Sequence, residues 1–167
     1  MDGNGNTSSS RKNIRILTWN SNGLLKRKAE LKQFLYNENI DIALISKTHL
    51  TSWSSAEIYN YKLYTCNHPE DAAHRGSAVY IKNNLIHHDV PAYCTTSIQA
   101  ACIQVTLLSS PSFNVAAVYS PPKHQITASD YTKFFKHLGE RWVIGGDFNA
   151  TGDPDSSQPK GPNCSRP

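Results

Sequence analysis

The feature that most constrains this chain is a series of short apolar, β-branched runs, each of which stops abruptly on polar residues. "IRILTWN" (14–20) ends on Asn20, "IDIALIS" (40–46) runs into Lys47, and "WVIGGD" (142–147) ends on Asp147. Runs of this length and composition read as strands buried on both faces. A buried strand with a polar tip delivers side chains to a surface cleft, where α/β proteins build their sites.

Further strands are expected at Tyr61–Cys66, Ser77–Lys82, Ala100–Leu108 and Phe113–Ser120, with "SPSF" (110–113) turning between the last two. Helical spacing of Leu24, Leu31, Phe34 and Leu35 predicts a helix from about Lys26 to Asn37. A second is predicted over "TASDYTKFFKHLG", with Thr127 or Ser129 as cap and Gly139 as stop. Residues 1–13 read as a disordered Gly/Asn/Ser leader, residues 14–149 as one domain, and residues 150–167 as a disordered Pro/Gly/Ser tail. Helices and hairpins together predict an α/β fold around mixed sheets.

Composition excludes several classes. Of the 167 residues, 38% are hydrophobic and 18% charged, which is globular usage. Mean hydropathy is -0.50 and no apolar run approaches the roughly 18 residues of a spanning helix, so no membrane role is expected. The N-terminus has no apolar signal region, so the expectation is a nuclear or cytoplasmic protein, not a secreted one. Cys66, Cys94, Cys102 and Cys164 match no zinc or redox spacing and are read as free thiols. The net charge of +4 permits a nucleic-acid partner without demanding one. Lys26, Arg27, Lys28 and Lys32 read first as a solvated helix face, with phosphate contact as the alternative. His87 and His88 read as surface residues, since an isolated pair lacks metal-ligand spacing.

Three strand ends are rich in chemistry: Asn20 and Asn22 in "TWNSNG", Lys47 and His49 in "ISKTH", and Asp147 and Asn149 in "GGDFNA". Alternation sends Phe148 away and puts Asn149 beside Asp147, as either a working pair or a self-capping turn.

"TWNSNG", "IALISKTHL", "RGSAVYIK", "VYSPP" and "GGDFNA", in that order, resemble the endonuclease/exonuclease/phosphatase superfamily. Within it the chain resembles the apurinic-type endonuclease domain of jockey-like non-LTR retrotransposons, from Ile14 to Ala150 with an echo at Pro159–Gly161. The resemblance implies a four-layer α/β sandwich, two mixed β-sheets flanked by helices, with its C-terminal strands missing here in a truncated copy. It implies a Mg²⁺ (or Mn²⁺) dependent nuclease that nicks target DNA to prime a reverse transcriptase encoded in the same polyprotein. By position, Asn20 would sit at the metal and Tyr119 at the phosphate. Asp147 would orient the attacking water, and Asn149 would hold the phosphate or nucleophile. Asn22, His49 and Arg75 would face the substrate.

The resemblance also exposes departures. Lys47 stands where the pattern has a metal-binding glutamate, and lysine offers no acceptor and the wrong sign. A cation about 4 Å from a divalent ion is repelled by roughly 8 kcal/mol at an effective dielectric of about 20. No histidine follows His137 to match the family's late catalytic one. Impaired cleavage is therefore expected, leaving a non-catalytic nucleic-acid-binding remnant or an unstable fragment as alternatives.

Overall fold

The computed structural model describes residues 13–67, 75–108, 110–122 and 126–149. The expected leader up to residue 12 and tail from residue 150 lie outside the described residues, as does Cys164.

Two four-strand paths form two sheets. Sheet 1 runs β1 (Ile16–Asn20), β2 (Ile42–Ser46), β4 (Ser77–Lys82) and β3 (Tyr61–Cys66). Sheet 2 runs β5 (Ile86–Asp89), β7 (Gln99–Leu107), β8 (Ser110–Tyr119) and β9 (Trp142–Asp147), with β6 (Tyr93–Cys94) also on β7. Each sheet has one parallel pair, β1 with β2 and β8 with β9, and the other pairings are antiparallel. A parallel pair needs a crossover. Helix α1 (Leu24–Asn37) supplies the first and α2 (Ala128–Leu138) the second.

Three apolar layers explain the element patterns. Ile42, Leu44, Val79 and Ile81 meet Ile103, Val105, Val115 and Ala117 between the sheets. The opposite face of sheet 1, with Ala43, Ile45 and Tyr80, packs on Leu24, Leu31 and Leu35 of α1. Ala100, Ala116 and Val118 on the outer face of sheet 2 pack on Phe134 and Leu138 of α2. The order is helix, sheet, sheet, helix, which is the two-mixed-sheet architecture expected. All five residues of β2 are buried because it is covered on both faces.

Three local expectations need correction. Strands β5 and β6 add to the expected set; their sequences "IHHD" and "YC" carry no apolar run, and β7 recruits them through the backbone ladder. "SPSF" lies inside β8, because Leu107 pairs with Ser110 and closes the hairpin earlier. Helix α1 starts at Leu24, two residues sooner than expected, since Gly23 at φ 103 is its cap. No helix among the described residues is long and apolar enough to cross a membrane.

Candidate active site

The site forms where β1, β2, β8 and β9 end together. Close approach of the sheets makes it possible. A side chain at Gly145 would overlap the Thr18 hydroxyl and lie 2.9 Å from Leu44 Cδ1, so glycine lets β9 settle onto β1 and β2. Two residues later Asp147 meets sheet 1. The Asn20 amide donates to Asp147 Oδ2 at 2.8 Å, joining residues 127 apart in sequence.

The remaining contacts fan out from this pair. Asn149 N–H donates to Asp147 Oδ1 at 3.2 Å, and its side-chain amide donates to the Ser120 carbonyl at 2.7 Å. The pair caps its own turn, and Asp147 also reaches across to sheet 1. Phe148 packs toward α2, as alternation expects. Asn22 N–H donates to Asn20 Oδ1 at 3.3 Å. Tyr119, paired with Asp147 across the β8–β9 ladder, is nearly buried. Burial and the Asp147 carboxylate raise the Tyr119 phenol above its ordinary value, while the Arg75 guanidinium pulls the other way. At neutral pH the hydroxyl is thus a donor, and Arg75 and Asp147 share its field.

Lys47 and His49 sit on a strained loop. Both have left-handed backbones, φ 54 and 57, as do Asn22 at 44 and Asn149 at 44. Asparagine tolerates this region; lysine and histidine visit it far less often, and such residues gather at functional loops. The loop is fastened by its backbone. The Lys47 carbonyl accepts from Gly23 N–H at 3.0 Å and Ser21 Oγ at 3.2 Å, and Thr48 O accepts from Leu24 N–H at 2.9 Å. Thr48 N–H and His49 N–H donate to the Gly76 and Arg75 carbonyls at 3.1 and 2.9 Å. His49 Nδ1 lies against Gly23, 3.5 Å from where a Cβ would stand. Lys47 is half-buried, and among the described residues its ammonium has no carboxylate partner.

Sequence reading overlooked Ser120 and Ser46. Ser120 N–H donates to the Asp147 carbonyl at 2.9 Å, and its hydroxyl donates to the Ser97 carbonyl at 2.7 Å. Its place in "VYSPP" beside Tyr119 was the available signal. Ser46 lies level with Asn20, buried, and among the described residues its hydroxyl has no hydrogen-bond partner.

A divalent ion at these strand ends would have the Asp147 carboxylate and the Asn20 side-chain oxygen as protein donors. A hard divalent ion wants oxygen ligands, including one or two carboxylates. Here Asp147 is the carboxylate at the strand ends, and both its oxygens already accept hydrogen bonds. Among the described residues no three His, Cys, Asp or Glu side chains gather to hold a metal.

The two-sheet α/β sandwich thus brings Asn20, Tyr119, Asp147 and Asn149 to one set of strand ends. The profile of the Endonuclease/Exonuclease/phosphatase family matches residues 17–163, and the chain belongs to that family. Its relatives include RNA-directed DNA polymerases of mobile elements. It is 34% identical over 137 residues to the RNA-directed DNA polymerase from mobile element jockey of Drosophila melanogaster, covering 82% of this chain and 15% of that protein. It is 31% identical over 140 residues to the probable RNA-directed DNA polymerase from transposon X-element of the same fly, covering 83% and 15%. The chain thus spans a small part of these relatives. The endonuclease domain of TRAS1, a telomere-specific non-LTR retrotransposon, shares the fold with a TM-score of 0.63 at 19% identity, covering 84% of this chain and 61% of that one. The Xenopus laevis APE2 catalytic domain aligns with a TM-score of 0.56 at 18% identity, covering 84% and 60%.

Proposed function

We propose that this chain derives from the DNA-nicking domain of a non-LTR retrotransposon, and that Lys47 has impaired its Mg²⁺-dependent cleavage. The Asn20–Asp147 contact between the two sheets carries the first half of this reading. It joins Asn20 of "TWNSNG" to Asp147 of "GGDFNA" at one end of the sandwich, which supports the reading. In the ancestral role Tyr119 donates its hydroxyl to a phosphate oxygen and the Asn149 amide holds the phosphate or nucleophile. Asp147 orients the attacking water, and Asn22, His49 and Arg75 face the DNA. Residues 14–149 are the domain that does this work, and DNA is the macromolecular partner. The jockey and X-element resemblance supports a reverse transcriptase in the same polyprotein, and the site of action in this reading is nuclear or cytoplasmic.

Lys47 carries the second half. It replaces a metal-binding carboxylate with an ammonium, on a loop whose backbone position does not depend on the side chain. Losing only about 3 kcal/mol of metal affinity is more than a hundredfold. A second reading rests on the same ammonium, which has no carboxylate partner among the described residues. It can pair with a DNA phosphate where the metal would stand, keeping binding without turnover.

Supercoiled plasmid with Mg²⁺ tests both. The chain is expected to leave plasmid intact and a Lys47→Glu version carrying a complete family C-terminus to nick it, whereas nicking by the unaltered chain would overturn the impairment. DNA binding that persists in chelator, falls steeply with salt and weakens in Lys47→Ala supports the second reading. Binding indifferent to Lys47→Ala removes it.

A further inference from the structure

On another edge of the same end of the sandwich, two thiols from different sheets converge on one carbonyl. Cys66 is the last residue of β3 in sheet 1, and Cys94 closes β6 in sheet 2. Cys94 Sγ lies 3.1 Å from the Asn67 carbonyl oxygen, and Cys66 Sγ lies 3.9 Å from that same oxygen. Cys66 Sγ also lies 3.8 Å from the carbonyl of Tyr93, the residue preceding Cys94.

The two sulfurs are unequal in a useful way. Cys94 is exposed, while Cys66 is buried, as is the third described thiol, Cys102. Burial raises the Cys66 thiol, and proximity to Cys94 raises it further. Burial pushes Cys102 up to about 11. Reactivity with a solution oxidant follows exposure and thiolate character, so Cys94 reacts first.

We infer that Cys66 and Cys94 form a reversible disulfide that latches the two sheets together beside the site. The oxidant is a low-molecular-weight disulfide of the glutathione class. The Cys94 thiolate attacks one sulfur of glutathione disulfide, breaks its S–S bond and expels one glutathione thiolate. Cys66, losing its proton to that thiolate, then attacks Cys94 Sγ and expels the second glutathione. Two protein thiols are oxidised by two electrons and one glutathione disulfide is reduced to two thiols.

The latch bears on both sides of the site. Cys94 leads into Thr95–Ile98, where the Ser97 carbonyl accepts from Ser120 Oγ at 2.7 Å. Ser120 in turn holds the Asn149 amide at 2.7 Å. On the other sheet, Cys66 pairs with Ser77, which follows Arg75 and Gly76, whose carbonyls hold the Lys47–His49 loop. A bond between the sheets restrains the unfolded chain and stabilises the native one.

The test treats the full chain with glutathione disulfide, followed by non-reducing digestion, mass mapping and thermal unfolding. The expected product is a Cys66–Cys94 peptide pair lighter by two hydrogens, lost with dithiothreitol, with unfolding raised by about 5 °C or more. Cys94→Ser, at an exposed position, should fold normally and show neither effect, and Cys102→Ala should show both. The inference is overturned if Cys94 stops at the glutathione adduct, pairs with Cys164 or with a second chain, or bridges Cys66 without an upward shift. None of these readouts involves DNA or metal, so they stand apart from the nicking assay.

Discussion

The two walls of the cleft are built by different means. On the sheet 1 wall, the loops after β1 and β2 hold each other through main-chain groups: Ser21 N–H to Ser46 O at 3.1 Å, Gly23 N–H to Lys47 O at 3.0 Å, Leu24 N–H to Thr48 O at 2.9 Å. On the sheet 2 wall, side chains make many of the joints, through Asp147, Asn149 and Ser120. The difference teaches where a sequence can drift. A wall fastened by backbone accepts a new side chain at its tip without losing shape. At the tip of this wall the Lys47 carbonyl is engaged, while among the described residues its ammonium has no carboxylate partner. The shape of this wall therefore does not rest on the Lys47 side chain.

The largest expected effect breaks the sheet 2 wall at its backbone. Gly146 has φ 151, and a Cβ there would overlap the Val118 carbonyl oxygen and lie 2.8 Å from the carbonyl carbon. Gly146→Ala must therefore push β9 off β8 or leave the ladder unmade. A loss of roughly 3 kcal/mol or more is expected, against no more than about 0.5 kcal/mol for Lys47→Ala on the other wall. Denaturant unfolding of the two variants measures the contrast, and equal losses would break the comparison.

A smaller effect sharpens it. Ser120 and Ser21 are both buried serines whose hydroxyls donate to carbonyls. Ser120→Ala removes the 2.7 Å bond to Ser97 O and should cost about 1–2 kcal/mol, the penalty of an orphaned buried group. Ser21→Ala should cost about 0.5 kcal/mol, because the Ser46 and Lys47 carbonyls keep the Ser21 and Gly23 N–H donors. A Ser21→Ala loss matching that of Ser120→Ala would mean that side chains fasten both walls alike.

The same division explains what the sequence made legible. Strand β2 was plain because both its faces are buried, and a continuous apolar run is what that environment selects. Strands β5 and β6 were not, because a polar edge strand is recruited by a ladder of N–H and C=O groups that every residue carries. The start of α1 was misplaced for a related reason: its first N–H groups bond to the carbonyls of Lys47 and Thr48, leaving no Ser, Thr, Asp or Asn signature. At the site, residue types and motif order pointed to Asn20, Asp147 and Asn149. The contact joining Asn20 to Asp147 was not readable, because spacing along the chain says nothing of how Gly145 lets two sheets close.

The two crossover helices extend the contrast to pH. Helix α1 is entered through Gly23 with no side-chain cap and no acid in its first turn. Helix α2 has a capping box: Asp130 N–H donates to Thr127 Oγ1 at 3.2 Å, and Asp130 Oδ2 accepts from Thr127 N–H at 3.0 Å and Thr127 Oγ1 at 2.8 Å. These bonds favour the carboxylate and lower Asp130 below its ordinary 3.8, with the Thr127 backbone the larger cause and Lys133 a minor one. A lowered folded-state value means that the unfolded chain takes the proton first. The contribution is therefore complete above the ordinary value and fades as pH falls through the lowered one. Amide hydrogen exchange across an acid titration should show the first turn of α2 losing protection in that window. The first turn of α1, held by carbonyls that do not titrate, should keep it. Asp130→Asn should flatten the α2 response while leaving α1 unchanged. Parallel loss at both helix starts would instead mean that the fraying reports the whole fold and not its caps.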